Sequence, residues 1–155
     1  MRRKDREVTD LSKVISIIEA CECCRIGLVD EGEAYIVPMN FGYEIIENKI
    51  KLYFHCAKEG RKINLLPKQK TVSFEMDRKH AVVPGEKGCD FSFMYQCVMG
   101  KGNVRILEDE CDKTYGLNKI MKHYTKDDTW KFDAKILERT QVLELTVSEW
   151  TCKEH

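Results

Sequence analysis

The chain has 155 residues, enough for one domain with a real core and too few for two. Its 26 Lys and Arg balance 26 Asp and Glu, which excludes a bulk electrostatic pull toward nucleic acid or acidic lipid. The one basic run, Arg2, Arg3 and Lys4, is diluted at once by Asp5 and Glu7 and reads as a solvated terminus.

No stretch is apolar enough to span a bilayer, and the opening MRRKDREV has no apolar segment of the secretory kind, so a cytoplasmic protein with reduced thiols is expected. Eight Cys raise the question of zinc. Cys21 and Cys24 form one C-x-x-C pair around Cys23, but Cys56, Cys89 and Cys97 lie singly downstream with no second pair to match it. These thiols therefore read as small, mostly buried hydrophobes.

In chain order, Leu11, Val14, Ile15 and Ile18 fall at helical spacing, with Thr9 or Asp10 available as a cap. Residues 25–29 read as a short strand, Asp30, Glu31, Gly32 and Glu33 as a turn, and residues 34–40 as the returning strand of a hairpin. Residues 41–46 extend or restart that strand, Glu47, Asn48 and Lys49 turn it, and residues 50–54 return.

The segment LYFHCAKEGRKINLL, residues 52–66, begins as an apolar and aromatic strand and ends as a helix cut short by Pro67. Between them lie His55, Ala57, Gly60, Arg61 and Lys62. A helix start exposes unpaired backbone N–H groups and the positive end of a dipole, and two cations add charge, so this turn suits the phosphate of a cofactor. A solvated strand-to-helix turn can have the same composition, so both readings stand at this point.

Residues 71–76 form the next strand, and residues 77–90, with Pro84, Gly85 and Gly88 among charges, read as a long loop. Residues 95–107 read as a long bent strand whose Gly100 and Gly102 permit a bulge. Leu117, Ile120, Met121 and Tyr124 mark a helix over residues 109–123, a brief helix spans 134–139, and a last strand covers 141–147. His80, His123 and His155 have no partner at metal spacing and read as surface residues. Short strands joined by hairpins and interrupted by short helices predict a single domain over 1–155, mainly β with peripheral helices.

The opening MRRKDREVTD, the strand IVPMNFGYE, the segment LYFHCAKEGRK, the piece MKHY and the closing WTCKEH together resemble the pyridoxamine 5'-phosphate oxidase-like split barrels, and most of all their nitroimidazole-resistance branch. The resemblance implies a six-stranded antiparallel split barrel that binds FMN at the interface of a homodimer. Pro38, Met39, Asn40 and Phe41 would then lie along the isoalloxazine ring. His55, Ala57, Gly60, Arg61 and Lys62 would follow the ribityl chain and phosphate. Tyr95, Cys97, Trp150 and Lys153 would reach the flavin from the strands of the neighbouring subunit. The family often has a small hydroxylated residue where Cys97 stands and a Gly where Cys152 stands.

A flavin carries the redox chemistry, so the protein need supply only binding, orientation and electrostatic tuning. His55 is the candidate for direct participation, because a neutral imidazole can donate to or accept from a substrate oxygen. The leading expectation is an FMN-dependent reductase passing electrons from a reduced nicotinamide to a small acceptor such as a nitroaromatic. No G-x-G-x-x-G turn follows a strand, so a nicotinamide would bind transiently over the flavin. A flavin-binding or sensing protein without turnover is the alternative from another class. A pyridoxamine-phosphate oxidase is a third, weakened by the lack of an Arg-rich substrate-binding end.

Overall fold

The computed structural model describes residues 2–69 and 71–155; Lys70 and Met1, the first letter of the opening motif, lie outside the described residues. Asp10 starts the first helix, α1 (Leu11–Glu19), by accepting the Ser12 N–H at 3.1 Å. Its buried face is Val14, Ile17 and Ile18, with Ile15 only half-buried.

Eight strands are present among the described residues: β1 (Glu7–Val8), β2 (Cys24–Asp30), β3 (Glu33–Met39), β4 (Phe41–Ile46), β5 (Lys49–Ala57), β6 (Val72–Val83), β7 (Ser92–Leu107) and β8 (Thr140–Glu154). Every pairing is antiparallel, in the order β3-β2-β6-β7-β8-β5-β4, with β1 on β8. Six were expected. β1 adds a short pairing, and of the two readings of residues 41–46 the structure has the restart, with residues 34–46 divided at Asn40.

That division closes the fold. Met39 ends β3 and Phe41 begins β4, yet these strands lie at opposite ends of the pairing path. In a flat sheet the two edges would stand about 29 Å apart, six steps of roughly 4.8 Å. Two residues reach at most about 7 Å. The sheet therefore rolls until its edges meet at Asn40, giving an antiparallel split barrel whose seam is crossed by one residue.

The interior is filled from alternate positions of the strands, including Ile26, Leu28, Phe41, Leu52, Phe54, Phe74, Met76, Val98, Leu143 and Leu145, and α1 packs into the same cluster. A second cluster lies on the outside of β5 and β8, where α3 (Glu110–Thr125) and α4 (Ala134–Arg139) bring Leu117, Ile120 and Leu137 over Tyr53 and Val142. The segment LYF in β5 is buried on both faces for this reason, Leu52 and Phe54 inward and Tyr53 outward. The helix α3 sits hard on β4: a Cβ at Gly42 would come within 2.2 Å of the Lys119 carbonyl carbon.

Two expectations are corrected here. Residues 77–83 are not loop, because β6 runs on to Val83 past a bulge between Arg78 and Ala81, with Lys79 at φ 60. The charged run Asp77, Arg78 and Lys79 and the bulge break the alternation, and the arm beyond Lys79 is largely exposed on both faces, so no strand periodicity marks it. His123 is not a surface residue but is buried, its Nε2–H donating to the Cys21 carbonyl at 2.8 Å while Phe41 packs on the ring at 4.3 Å. The bulge expected near Gly100 and Gly102 is present between β7 and β8, with Ser148 the extra residue.

Candidate functional site

The seam and the strand-to-helix turn meet. A groove of about 270 Å³ is lined by Val37, Pro38, Met39 and Asn40 from the end of β3 and by His55, Cys56, Ala57 and Lys62 from β5 and the turn after it. Six of those eight were singled out by sequence; Val37 and Cys56 were not, being apolar letters inside strands. The two motifs are far apart in the pairing path but share this groove because the barrel closes between them.

The groove is polar at one end. Asn40 and His55 are exposed. Partial burial of the imidazole, reinforced by the nearby positive charge of Lys62, holds His55 below its usual range, so the ring is neutral near pH 7. Burial also raises the Cys56 thiol, against the opposing pull of Lys62, which makes it a poor nucleophile.

Beyond Ala57 the chain turns through Gly60, at φ 133 and with no atom within 4 Å of where a Cβ would stand, and enters α2 (Arg61–Leu65) with no side-chain cap. Arg61 projects beside this turn. Its Nε–H donates to Asp30 Oδ2 at 2.5 Å, and its guanidinium carbon lies 4.5 Å from the centroid of the Tyr35 ring. Neither Asp30 nor Tyr35 was identified from sequence; Asp30 read as an ordinary turn residue. Phe41 is placed differently from the other seam residues. Its ring is in the core, and its N–H already donates to the Tyr124 hydroxyl at 3.2 Å.

Tyr95, Cys97, Trp150 and Lys153 do not line this groove. They belong to paired β7 and β8: Cys97 stands opposite Lys153, Trp150 opposite Gly100, and Tyr95 exchanges backbone bonds with His155 at 2.9 and 3.3 Å. Burial, together with Glu75 beside it, pushes the Cys97 thiol up to about 12. Trp150 lines a separate, broad and mostly apolar groove of about 800 Å³ with Gly27, Ile36, Phe74 and Met99. Cys152 is buried in β8 opposite Val98, and Cys21 and Cys24 are buried in the core, each thiol raised by burial.

The closed antiparallel barrel, with a polar groove at its seam and an Arg-Lys turn beside it, defines the class: a flavin-type split barrel. Residues 10–154 match the pyridoxamine 5'-phosphate oxidase family, and the chain belongs to it. Among solved structures, the chain is similar to a candidate 5-nitroimidazole antibiotic resistance protein from Bacteroides thetaiotaomicron, with 33% identity, 96% of this chain and 86% of the other covered, and a TM-score of 0.83. A flavocytochrome from Azotobacter vinelandii (22% identity, 100% and 72% covered, TM-score 0.82) and an FAD- and heme-binding protein from Mycobacterium smegmatis (17%, 96% and 73%, 0.82) share the fold. A search of curated proteins finds no significant match.

Proposed function

We propose that the protein binds FMN in the seam groove of a homodimer and passes electrons from a reduced nicotinamide to a small acceptor such as a nitroaromatic. The observation that carries this reading is the convergence of Pro38, Met39 and Asn40 with His55, Ala57 and Lys62 on one groove. The donor set fits the group: an exposed amide at Asn40, a neutral imidazole, and two cations at the turn. Asn40 would meet the ring, and Gly60, Arg61 and Lys62 the phosphate, whose nearly two negative charges form charge-assisted bonds of the stronger kind.

When bound, flavin supplies the acceptance and release of a hydride equivalent. His55 orients the acceptor by hydrogen bonding to its oxygen and serves as the catalytic residue. The apolar groove around Trp150 supports the two-copy reading, since an exposed patch containing Ile36 and Met99, at 62% and 40% exposure, is a surface that a second barrel would cover. Tyr95, Cys97, Trp150 and Lys153 would then meet the partner's flavin. The thiols are not mostly buried as expected, since Cys21, Cys24 and Cys152 are buried while Cys89 and Cys111 are exposed; a reducing cytoplasm, the location we propose, would keep the exposed ones reduced. Among the described residues no helix is long and apolar enough to cross a membrane.

The test is reconstitution with FMN, and with FAD for comparison, followed by NADH and NADPH oxidation in the presence of nitroaromatic acceptors. Twin flavin absorbance bands with turnover support the reading. Bound flavin without turnover on any donor would replace it with the flavin-binding or sensing alternative, and oxidation of pyridoxamine phosphate with the oxidase. Replacing Arg61 or Lys62 by Ala should weaken FMN binding by about 10-fold each. An FMN affinity and salt dependence unchanged in the double variant would remove the phosphate assignment.

A further inference from the structure

We infer that the β2–β3 hairpin end, through Asp30 and Tyr35, is a positioning device for Arg61, and that it sets the preference for a phosphorylated flavin over an unphosphorylated one. The inference rests on the reading of Arg61 as a phosphate ligand.

Asp30 is the last residue of β2 and stands opposite Glu33 across the hairpin. It takes only the Nε–H of Arg61, at 2.5 Å, and among the described residues the two terminal nitrogens of Arg61 have no protein partner. A guanidinium held this way keeps its paired terminal edge for a second, bidentate acceptor, the geometry in which Arg recognises phosphate. The Tyr35 ring, 4.5 Å from the guanidinium carbon, fixes the plane of the fork. The side chain is otherwise 55% exposed, so without these two contacts it would sample many rotamers.

The far end of the same segment is tied to the same hairpin. Gln69, just beyond α2 and the short 3-10 turn that follows it, accepts from the Val29 N–H at 3.1 Å and donates to the Val29 carbonyl at 2.9 Å. The turn residues are thus stapled to β2 at both ends, by Arg61 onto Asp30 and by Gln69 onto Val29. The end of the β2–β3 hairpin, rather than the five-residue helix itself, fixes where the cation points.

The experiment titrates flavin-free protein with FMN and with riboflavin by fluorescence, comparing wild type with Asp30→Asn, Tyr35→Leu, Tyr35→Phe, Arg61→Ala and the double variant Asp30→Asn/Arg61→Ala. Thermal melts of the flavin-free proteins check folding. Asp30→Asn and Tyr35→Leu should each reduce FMN affinity by about 5-fold while leaving riboflavin affinity unchanged. Tyr35→Phe, which keeps the aromatic face, should restore it, and Asp30→Asn should add nothing once Arg61 is gone. Tighter FMN binding in Asp30→Asn would show that the carboxylate competes with phosphate and would overturn the inference. So would additive losses in the double variant, or equal losses for both flavins. A preference for FMN that survives in Arg61→Ala would overturn the phosphate reading itself, and the inference with it.

Discussion

Burial lowers the pKa of His123, and although its bond to the Cys21 carbonyl opposes this, Lys126 adds to the depression. In the unfolded chain the same ring titrates near ~6.5. Between that value and the lower folded one, the unfolded chain binds more protons, so stability is full above pH ~6.5 and falls as the pH drops through the window. His55 adds to the slope with the same sign, since its folded value is lowered too. Urea denaturation between pH 5 and 8 should show this loss, and His123→Gln should flatten it. For His55, which is proposed both to line the flavin groove and to orient the acceptor, the matching kinetic expectation in His55→Ala is a turnover lowered by about 100-fold with a smaller loss of FMN affinity. A loss of flavin binding as large as the loss of turnover would leave His55 a cofactor ligand only. Of the two histidines, only His55 was legible in the sequence, because its neighbours Gly60, Arg61 and Lys62 marked the turn. His123 lies in the piece MKHY that carries the resemblance, but nothing in that piece marks burial, which depends on α3 packing against β4 and on the chain around Cys21.

At the scale of elements, the contact between α3 and β4 is made through an absent side chain. Gly42→Ala would place a methyl group 2.2 to 2.4 Å from the backbone of Lys119 and Ile120, which cannot yield as a side-chain tip can. We expect a loss of about 2 kcal/mol or more in denaturant unfolding, with α3 shifted outward. Beneath α3, the Tyr53 hydroxyl donates to Glu44 while Glu144 lies 3.2 Å away, and Lys119, Lys51 and Arg105 neutralise the two carboxylates. Tyr53→Phe should cost about 1 kcal/mol by the same measurement.

Most elements could be read directly: Asp10 and the Val14–Ile18 spacing gave α1, and the turns at Asp30 and Asn48 gave their hairpins. The elements that escaped lacked local signals. The arm of β6 past Lys79 is exposed on both faces, and β8 beyond Val147 pairs with β7 through a bulge that interrupts its alternation. The candidate groove was legible as two motifs but not as one place. Their meeting depends on closure of the barrel, a property of the whole pairing order and not of either segment.

For the whole molecule, the broad apolar groove around Trp150 yields a prediction about assembly. Met99→Glu would put a carboxylate beside Ile36 and Gly27 on a surface that Arg25, Glu75, Lys101 and Glu149 also line, and should convert the proposed dimer into a monomer in sedimentation experiments while leaving the melt of the flavin-free fold near that of the wild type. A dimer of unchanged affinity would place the interface elsewhere. The pairing order has a further consequence, in the order of synthesis. β8 joins β7 to β5, yet it is made after both of them. A nascent chain that has emerged only as far as Arg139 holds β2, β3, β6 and β7 as one piece and β4 with β5 as another, with no strand between them. Until Thr140–Glu154 leaves the ribosome, both pieces expose unpaired edges that invite chaperones or neighbouring chains, so the risk of aggregation is greatest in the interval before β8 emerges.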